Sequence, residues 1–367
     1  MEAYSKRNLS FPEDRLQAFL GMLGALCDQF KGGFRFGLPE DFFDVALLWE
    51  SACDARRISR PADKTQGLSQ FPSWSWAGWS GAVKLSMCLN TPRYLHSGWK
   101  GHLPTVPGLR IRPLVRWYKK QLNSESCVPI SCSFYEWRDL SENPSAKVPD
   151  GWYREAQPST LAEDGIPRQW PQGKPIPEEP LLYVFRHESH LDCTYRYMVP
   201  LVEDESRALL ADEEWQPFLF SSAQSSRFNT IELDSNIQQK VGEIMVDPFQ
   251  SEYLHKHSSI VDGSGKLVGI LQSGTNADRD PTHQQSIELI AISSMTIAPR
   301  YFQYAKYFLL PELHFRGLFM SLDEVYDFYN VLSVKWQNGV AYRIGIGRIL
   351  KAAWKASSYK RVDVVLG

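Results

Sequence analysis

Four short stretches hold residue types that perform chemistry in other proteins, and each can be tested by its spacing. His187-Glu188-Ser189-His190-Leu191-Asp192-Cys193 gathers two imidazoles and a thiol. A structural zinc takes four ligands, usually as two close-set pairs. The second pair would have to come from His255 and His257 or from Cys127 and Cys132, both loosely placed, so an ordinary polar turn is expected. Gly263-Ser264-Gly265-Lys266 ends like a phosphate-binding loop. The full pattern wants Gly where Ile260 stands and Ser or Thr where Leu267 stands, so this stretch predicts a hairpin turn from Asp262 to Gly265. Gly345-Ile346-Gly347 lacks the third glycine of a dinucleotide fingerprint, which would be Leu350, and predicts a turn into a final helix. Gly78-Trp79-Ser80-Gly81 is out of frame for a nucleophile elbow. With six Cys and eight His a Cys–His couple is sterically open, but no spacing selects one. The residues therefore predict no catalytic, cofactor-binding or metal-binding set, and an enzyme is not expected.

The bulk properties exclude further classes. A net charge of −2 on 367 residues gives no global field toward polyanions or acidic membranes. The one basic stretch with aromatics, Arg110-Ile111-Arg112-Pro113-Leu114-Val115-Arg116-Trp117-Tyr118-Lys119-Lys120, reads as a strand end with a solvated edge, so no nucleic-acid partner is expected. No apolar run approaches the ~18 residues of a membrane span, and the polar start (Glu2, Ser5, Lys6, Arg7, Asn8) is unlike a secretory leader. Cys27, Cys53, Cys88, Cys127, Cys132 and Cys193 are scattered, which suits free thiols and a cytoplasmic location.

The elements that must position any site follow from periodicity. Ser10 and Glu13 form a capping box around Pro12, and Leu16, Phe19, Leu20, Leu23, Cys27 and Phe30 then recur at helical spacing until Gly32-Gly33. A second helix is expected from Pro39, with Glu40 and Asp41 in its first turn. It is apolar on several faces (Phe42, Phe43, Val45, Leu47, Leu48, Trp49). Trp74 and Trp76 alternate with Ser73 and Ser75, which predicts a strand whose indoles pack on the first helix. Strands are expected at 109–118, 128–137, 181–186, 195–202 and 287–293. Pro144, Pro149, Pro158, Pro167, Pro171, Pro175, Pro177 and Pro180 predict a long loop or insertion over 139–180. Near the C-terminus, Leu332, Val334 and Trp336 form one apolar set and Val340, Tyr342 and Ile344 another. A three-residue loop, Gln337-Asn338-Gly339, would pair Trp336 with Val340 and put both sets on one face. A helix at 348–356 and a strand at 362–366 close the chain. The expected class is α+β: a helical segment with a Trp-rich strand (1–83), a β-rich segment (84–138), the Pro-rich insertion (139–180) and a mostly antiparallel β-rich body (181–367).

One string is specific enough to carry a resemblance. Phe71-Pro72-Ser73-Trp74-Ser75-Trp76-Ala77-Gly78-Trp79, preceded by Tyr4-Ser5, Arg7, Leu9-Ser10, Asp14, Leu16, Ala18-Phe19, Gly21, Gly37-Leu38-Pro39, Leu47-Leu48-Trp49 and Arg56-Arg57, resembles the region that follows the conserved core of fungal heterokaryon-incompatibility (HET) domain proteins. The tail agrees through Ile287-Glu288-Leu289-Ile290-Ala291-Ile292-Ser293, Tyr329-Asn330-Val331-Leu332, Gly339-Val340-Ala341, Arg343, Gly345, Gly347, Trp354 and Val364-Val365-Leu366-Gly367. Residues 84 to about 285 match poorly, apart from 260–265. The resemblance implies a part in fungal non-self recognition and the programmed cell death that follows it. The HET core, to which toxicity and any nucleotide-cleaving chemistry are attached, would lie upstream of Met1. The expected function is a non-enzymatic accessory or regulatory region acting through protein contacts, with that core or another protein as partner. The alternative is an enzyme: the remainder of a nucleotide-hydrolysing HET protein, or a site within 84–285. A missing core would leave the apolar faces of residues 11–49 uncovered.

Overall fold

The structure, a computed structural model, describes residues 2–5, 7, 14–27, 33–51, 55–58, 71–84, 112–130, 145–157, 182–195, 215–232, 257–273, 285–297 and 324–367. Its main body is one large antiparallel sheet, and among the described residues helix is confined to four pieces of 4–13 residues besides the 3-10 turns. Helix α1 (Glu2–Ser5) and helix α2 (Arg15–Cys27) open the chain. Leu16, Phe19 and Leu23 of the expected stripe are buried, whereas the capping box at 10–13 lies outside the described residues.

The second helix does not form. Strands β1 (Phe34–Arg35) and β2 (Leu38–Pro39) make a small ladder, a 3-10 turn covers Glu40–Phe42, and α3 (Phe43–Ala46) is a single turn before β3 (Glu50–Ser51). The carbonyls of Leu47 and Trp49, which a continuing helix would bond to its own amides, accept instead from Arg343. The segment is apolar all round because it is buried all round: Phe42, Phe43, Val45, Leu47, Leu48 and Trp49 are each at most 5% exposed. The expected uncovered face on this segment is therefore absent, since other parts of the chain cover it.

The Trp-rich strand is also corrected. After β4 (Arg56–Arg57), Ser73 and Trp74 lie in a turn and Trp76–Gly78 is a 3-10 helix capped by Ser75, whose Oγ accepts from the Ala77 amide at 3.0 Å. Only β5 (Trp79–Ser80) is extended; it pairs with β4, while β6 (Val83–Lys84) pairs with β3. The Trp/Ser alternation does not divide a wet face from a dry one, because both residue types are buried here.

Strands β7 (Arg112–Pro113), β8 (Tyr118–Lys120) and β9 (Cys127–Pro129) occupy parts of the two expected runs. The Pro-rich stretch is not loop throughout: β10 (Trp152–Gln157) lies in it and pairs with β11 (Leu182–His187), which pairs with β12 (His190–Tyr195) in a separate three-stranded sheet. Residues 158–181 and 196–202 lie outside the described residues.

The core of the body is β13 (Leu219–Glu232), β14 (His257–Val261), β15 (Leu267–Ser273), β16 (Gln285–Ile297), β17 (Tyr326–Gln337) and β18 (Val340–Leu350). Each is antiparallel to its neighbours, and the pairings β13–β16–β17–β18–β15–β14–β13 return to their start. This ring of pairings closes a barrel, which leaves less free edge than an open sheet would carry. Register shifts at Ala291/Ser293, Ser333/Val334 and Ile260/Val261 supply the extra bend that closure needs. Helix α4 (Lys351–Ala356) and β19 (Lys360–Leu366) follow. β19 pairs with the first half of β13 and touches β18 at Ala341↔Leu366.

One apolar cluster draws Phe228, Ile260, Leu271, Leu289, Val331, Ile349 and Trp354 from all six barrel strands and α4, so it fills the barrel. The other joins the opposite faces of five of these strands (Leu219, Ile270, Ile290, Leu332, Ile346) to the N-terminal layer.

Two expectations about β18 are overturned. Gly345 and Gly347 are inside the strand rather than in a turn, and a Cβ at Gly347 would lie 2.4 Å from the Ile270 carbonyl oxygen across the ladder. The hairpin register is also different. Trp336 pairs with Ala341 and Gln337 with Val340 around a two-residue Asn338-Gly339 turn, with φ of 51° and 80°. Both positive angles suit the turn that matches strand twist. A three-residue loop would follow from an unbroken ladder. The shift at Ser333/Val334 leaves Ile344 without a partner, so Leu332 sits opposite Ile346 and Val334 opposite Arg343.

Candidate functional site

The string that carries the family resemblance forms the joint between the N-terminal layer and the barrel. Trp74, Trp76 and Trp79 are at most 2% exposed, as expected of core indoles. Trp76 meets Phe19 of α2 edge to face at 5.2 Å, and Trp74 meets Phe36 and Phe43 in the same manner. Every indole N–H of the group finds a carbonyl. Trp49 donates to Trp74 at 2.8 Å, Trp79 to Ser73 at 2.8 Å, Trp76 to Gly37 at 3.2 Å and Trp74 to Pro217 at 3.2 Å. Gly37, at φ 79°, allows that approach, because a Cβ there would stand 2.8 Å from the Trp76 Nε1. Gly78 leaves room for Arg57 in the same way.

Three guanidinium groups hold this joint. Arg57 donates to the carbonyls of Phe71 (2.9 Å), Pro72 (3.2 Å) and Gly78 (2.9 Å) and lies over the Trp79 ring. Burial pulls its pKa down to about 10. Arg15 donates to the Trp79 and Ser5 carbonyls and sits 6.0 Å from the Trp76 ring. Arg343 is the deepest of the three. Its guanidinium donates to the Leu47 carbonyl at 2.8 Å and to that of Trp49, and stands 3.8 Å from the Trp49 ring centroid. Burial lowers its pKa to about 9, against the opposing pull of Glu50, so it remains a cation at neutral pH. Its backbone N–H donates to Ser73 Oγ, and that hydroxyl donates to the Gly367 carbonyl. Beside it, Arg348 pairs with Glu50 at 2.7 Å, both nearly inaccessible. The Gln272 amide bonds both backbone polar groups of Ser51. Spent on carbonyls and one carboxylate, these groups hold the layers in register.

The stretches singled out by residue type end in ordinary places. His187 and His190 flank the turn of the β11–β12 hairpin. The His187 Nδ1 lies 2.6 Å from Ser189 Oγ, and its ring packs on Trp152 at 5.0 Å. The side chains of His190 and Cys193, and all of His255 and Cys132, lie outside the described residues. Among the described residues no group of three or more His, Cys, Asp or Glu is placed to hold a metal. Gly263-Ser264-Gly265-Lys266 is the expected β14–β15 hairpin turn. Asp262 Oδ1 accepts from Ser264 N (2.9 Å), Ser264 Oγ (2.7 Å) and Lys266 N (3.0 Å), which holds its carboxyl below the usual range. Ser80 exchanges hydrogen bonds with the Arg56 backbone. In the basic stretch, Lys119 is bound to Glu40 at 2.7 Å and Lys120 to Glu125 at 2.9 Å. Among the described residues no helix is long and apolar enough to cross a membrane.

Sequence reasoning missed a concave feature among the described residues. An open cleft of about 840 Å³ lies between β13, the β14–β15 turn and the α4–β19 junction. Its floor is Ser225, Ser226 and Phe228, and its rim includes Asp262, Ser358 and Lys360. Ser225 Oγ donates to Glu288 at 2.8 Å, the Ser226 and Ser357 hydroxyls meet at 2.9 Å, and Arg227 lies 3.7 Å from Glu288. Among the described residues the lining mixes hydroxyls with balanced charge and holds no imidazole. Its signal in the sequence is faint: Ser221, Ser222, Ser225 and Ser226 in one strand, distant from the turn and junction that complete the walls. No protein-family model, curated protein or solved structure matches the chain.

Proposed function

We propose that the chain is a non-enzymatic accessory or regulatory region of a HET-type protein, acting in fungal non-self recognition through contacts with a protein partner. The observation that supports this reading most is the fate of the 71–79 string. Its tryptophans, serines and glycine are all used to join two layers, and the arginines around it are spent on backbone carbonyls. A motif used this way specifies a rigid body, and a rigid body contributes through the surface it presents. The HET core of the resembled family is the natural partner on this reading. The test is genetic. A fungal strain expressing a HET core under an inducible promoter is scored for cell death with and without this chain supplied in trans. The expected result is a change in death frequency that disappears when Trp76→Ala unfolds the joint; identical frequencies with and without the chain would overturn the proposal.

A further inference from the structure

Among the described residues, the wall of the barrel has a gap on one flank of β13. Residues 224–230 of β13 pair with β16, so β14 and β19, which also pair with β13, must both lie on its other flank. They occupy that flank in line and run in the same direction. β14 ends with Asn229↔Val261 and β19 begins with Ser225↔Lys360. Between them, Ser226, Arg227 and Phe228 pair with β16 alone, and among the described residues no strand covers their other side. At ~3.4 Å per residue the interruption is about 10 Å long. The 840 Å³ cleft opens directly onto it, with the β14–β15 turn at one end and Ser357, Ser358 and Lys360 at the other.

We propose that this gap is a docking site for a short extended peptide segment of the protein partner, which adds to β13 antiparallel and completes the line from β14 to β19. The inference rests on the reading that the chain acts through protein contacts, and it names the place. Unpaired strand backbone is a template for a guest strand, which gains main-chain hydrogen bonds from it. The charge pattern selects an uncharged segment. Arg227 is opposite Glu288, and Asp262 is satisfied by its own turn, so neither a phosphate nor an acidic tail finds an uncommitted pair of cations. The hydroxyls of Ser226, Ser357 and Ser358 are placed for a polar backbone or Ser/Thr side chains, while Phe228 gives the floor an apolar spot.

The test is selection of displayed random peptides on the full chain, followed by hydrogen exchange and two cleft-filling variants. Ser358→Trp and Ser264→Trp change exposed residues on opposite walls, so each keeps the fold and narrows the gap. The expected outcome is enrichment of uncharged, β-prone peptides that slow exchange of those β13 amides within 226–228 that are not bonded to β16, and that bind each variant at least about tenfold more weakly. Peptides that bind all three proteins equally, peptides that protect amides elsewhere, or no enrichment would each overturn the site. A HET core that binds the chain and both variants alike would sink this site while leaving the broader proposal standing.

Discussion

Replacing Arg343 with Met tests whether the buried guanidinium network holds the two layers together. Methionine keeps an unbranched chain of similar length and removes every donor. The Leu47 and Trp49 carbonyls, buried with their residues, then lose the partner they have now. Each orphaned carbonyl costs about 1–3 kcal/mol, and a desolvated cation over Trp49 is worth about 2 kcal/mol. Against this, the variant no longer buries a charge, which recovers several kcal/mol of desolvation. The carbonyls cannot reach water without opening the joint, so the net expectation is a loss of about 3 kcal/mol. Arg343→Lys, with one compact ammonium in place of the fork, should fall between wild type and Met. Urea unfolding followed by tryptophan emission reads this directly, because Trp49 and Trp79 lie beside the Arg343 side chain. A Met variant within about 0.5 kcal/mol of wild type, or more stable than it, would refute the reasoning.

Other perturbations bear on the same joint and on the hairpin. Trp76→Ala, which empties a wholly buried site, should cost about 3–5 kcal/mol in the same urea titration. Gly37→Ala should cost more than about 1 kcal/mol, since it adds a strained left-handed residue and presses on the Trp76 ring; a neutral result would count against the close approach. Asn338→Gly should be neutral to within about 0.5 kcal/mol, whereas Asn338→Val should lose about 1–2 kcal/mol because a β-branched residue resists φ 51°. Equal stability of the two would favour a different turn. Purified chain should carry no stoichiometric zinc by metal analysis, since spacing gives His187, His190 and Cys193 no matching second pair; one zinc per chain, lost on His190→Ala, would reverse that reading.

What was legible in the sequence was local. The apolar runs at 287–293 and 362–366 and the alternation at 332–336 and 340–344 marked strands, Asp262 to Gly265 announced its hairpin, and the Leu16/Phe19/Leu23 stripe marked a helix that packs on tryptophan. Three misreadings share a cause. Residues 42–49 look helical by composition, yet their carbonyls are claimed by an arginine nearly 300 positions away. The Trp/Ser string looks like an alternating strand, yet both residue types are buried in a turn. At the C-terminal hairpin, the wish to bring Leu332, Val334 and Trp336 onto one face with Val340, Tyr342 and Ile344 points to a three-residue loop, yet the bulge at Ser333/Val334 changes the register and buries Arg343. In each case a long-range polar contact overrides the local pattern, and such contacts leave only a faint trace: a lone Arg or Glu inside an apolar run, as at Glu50, Arg343 and Arg348. The cleft was illegible for a related reason, since its walls come from three separate parts of the chain.

On the proposed function, the chain works by holding a protein partner. Its most direct test is sedimentation of the purified chain with a separately purified HET core. The account predicts a stoichiometric complex that dissociates when Trp76→Ala disrupts the joint. Two species that sediment independently at every concentration would contradict it.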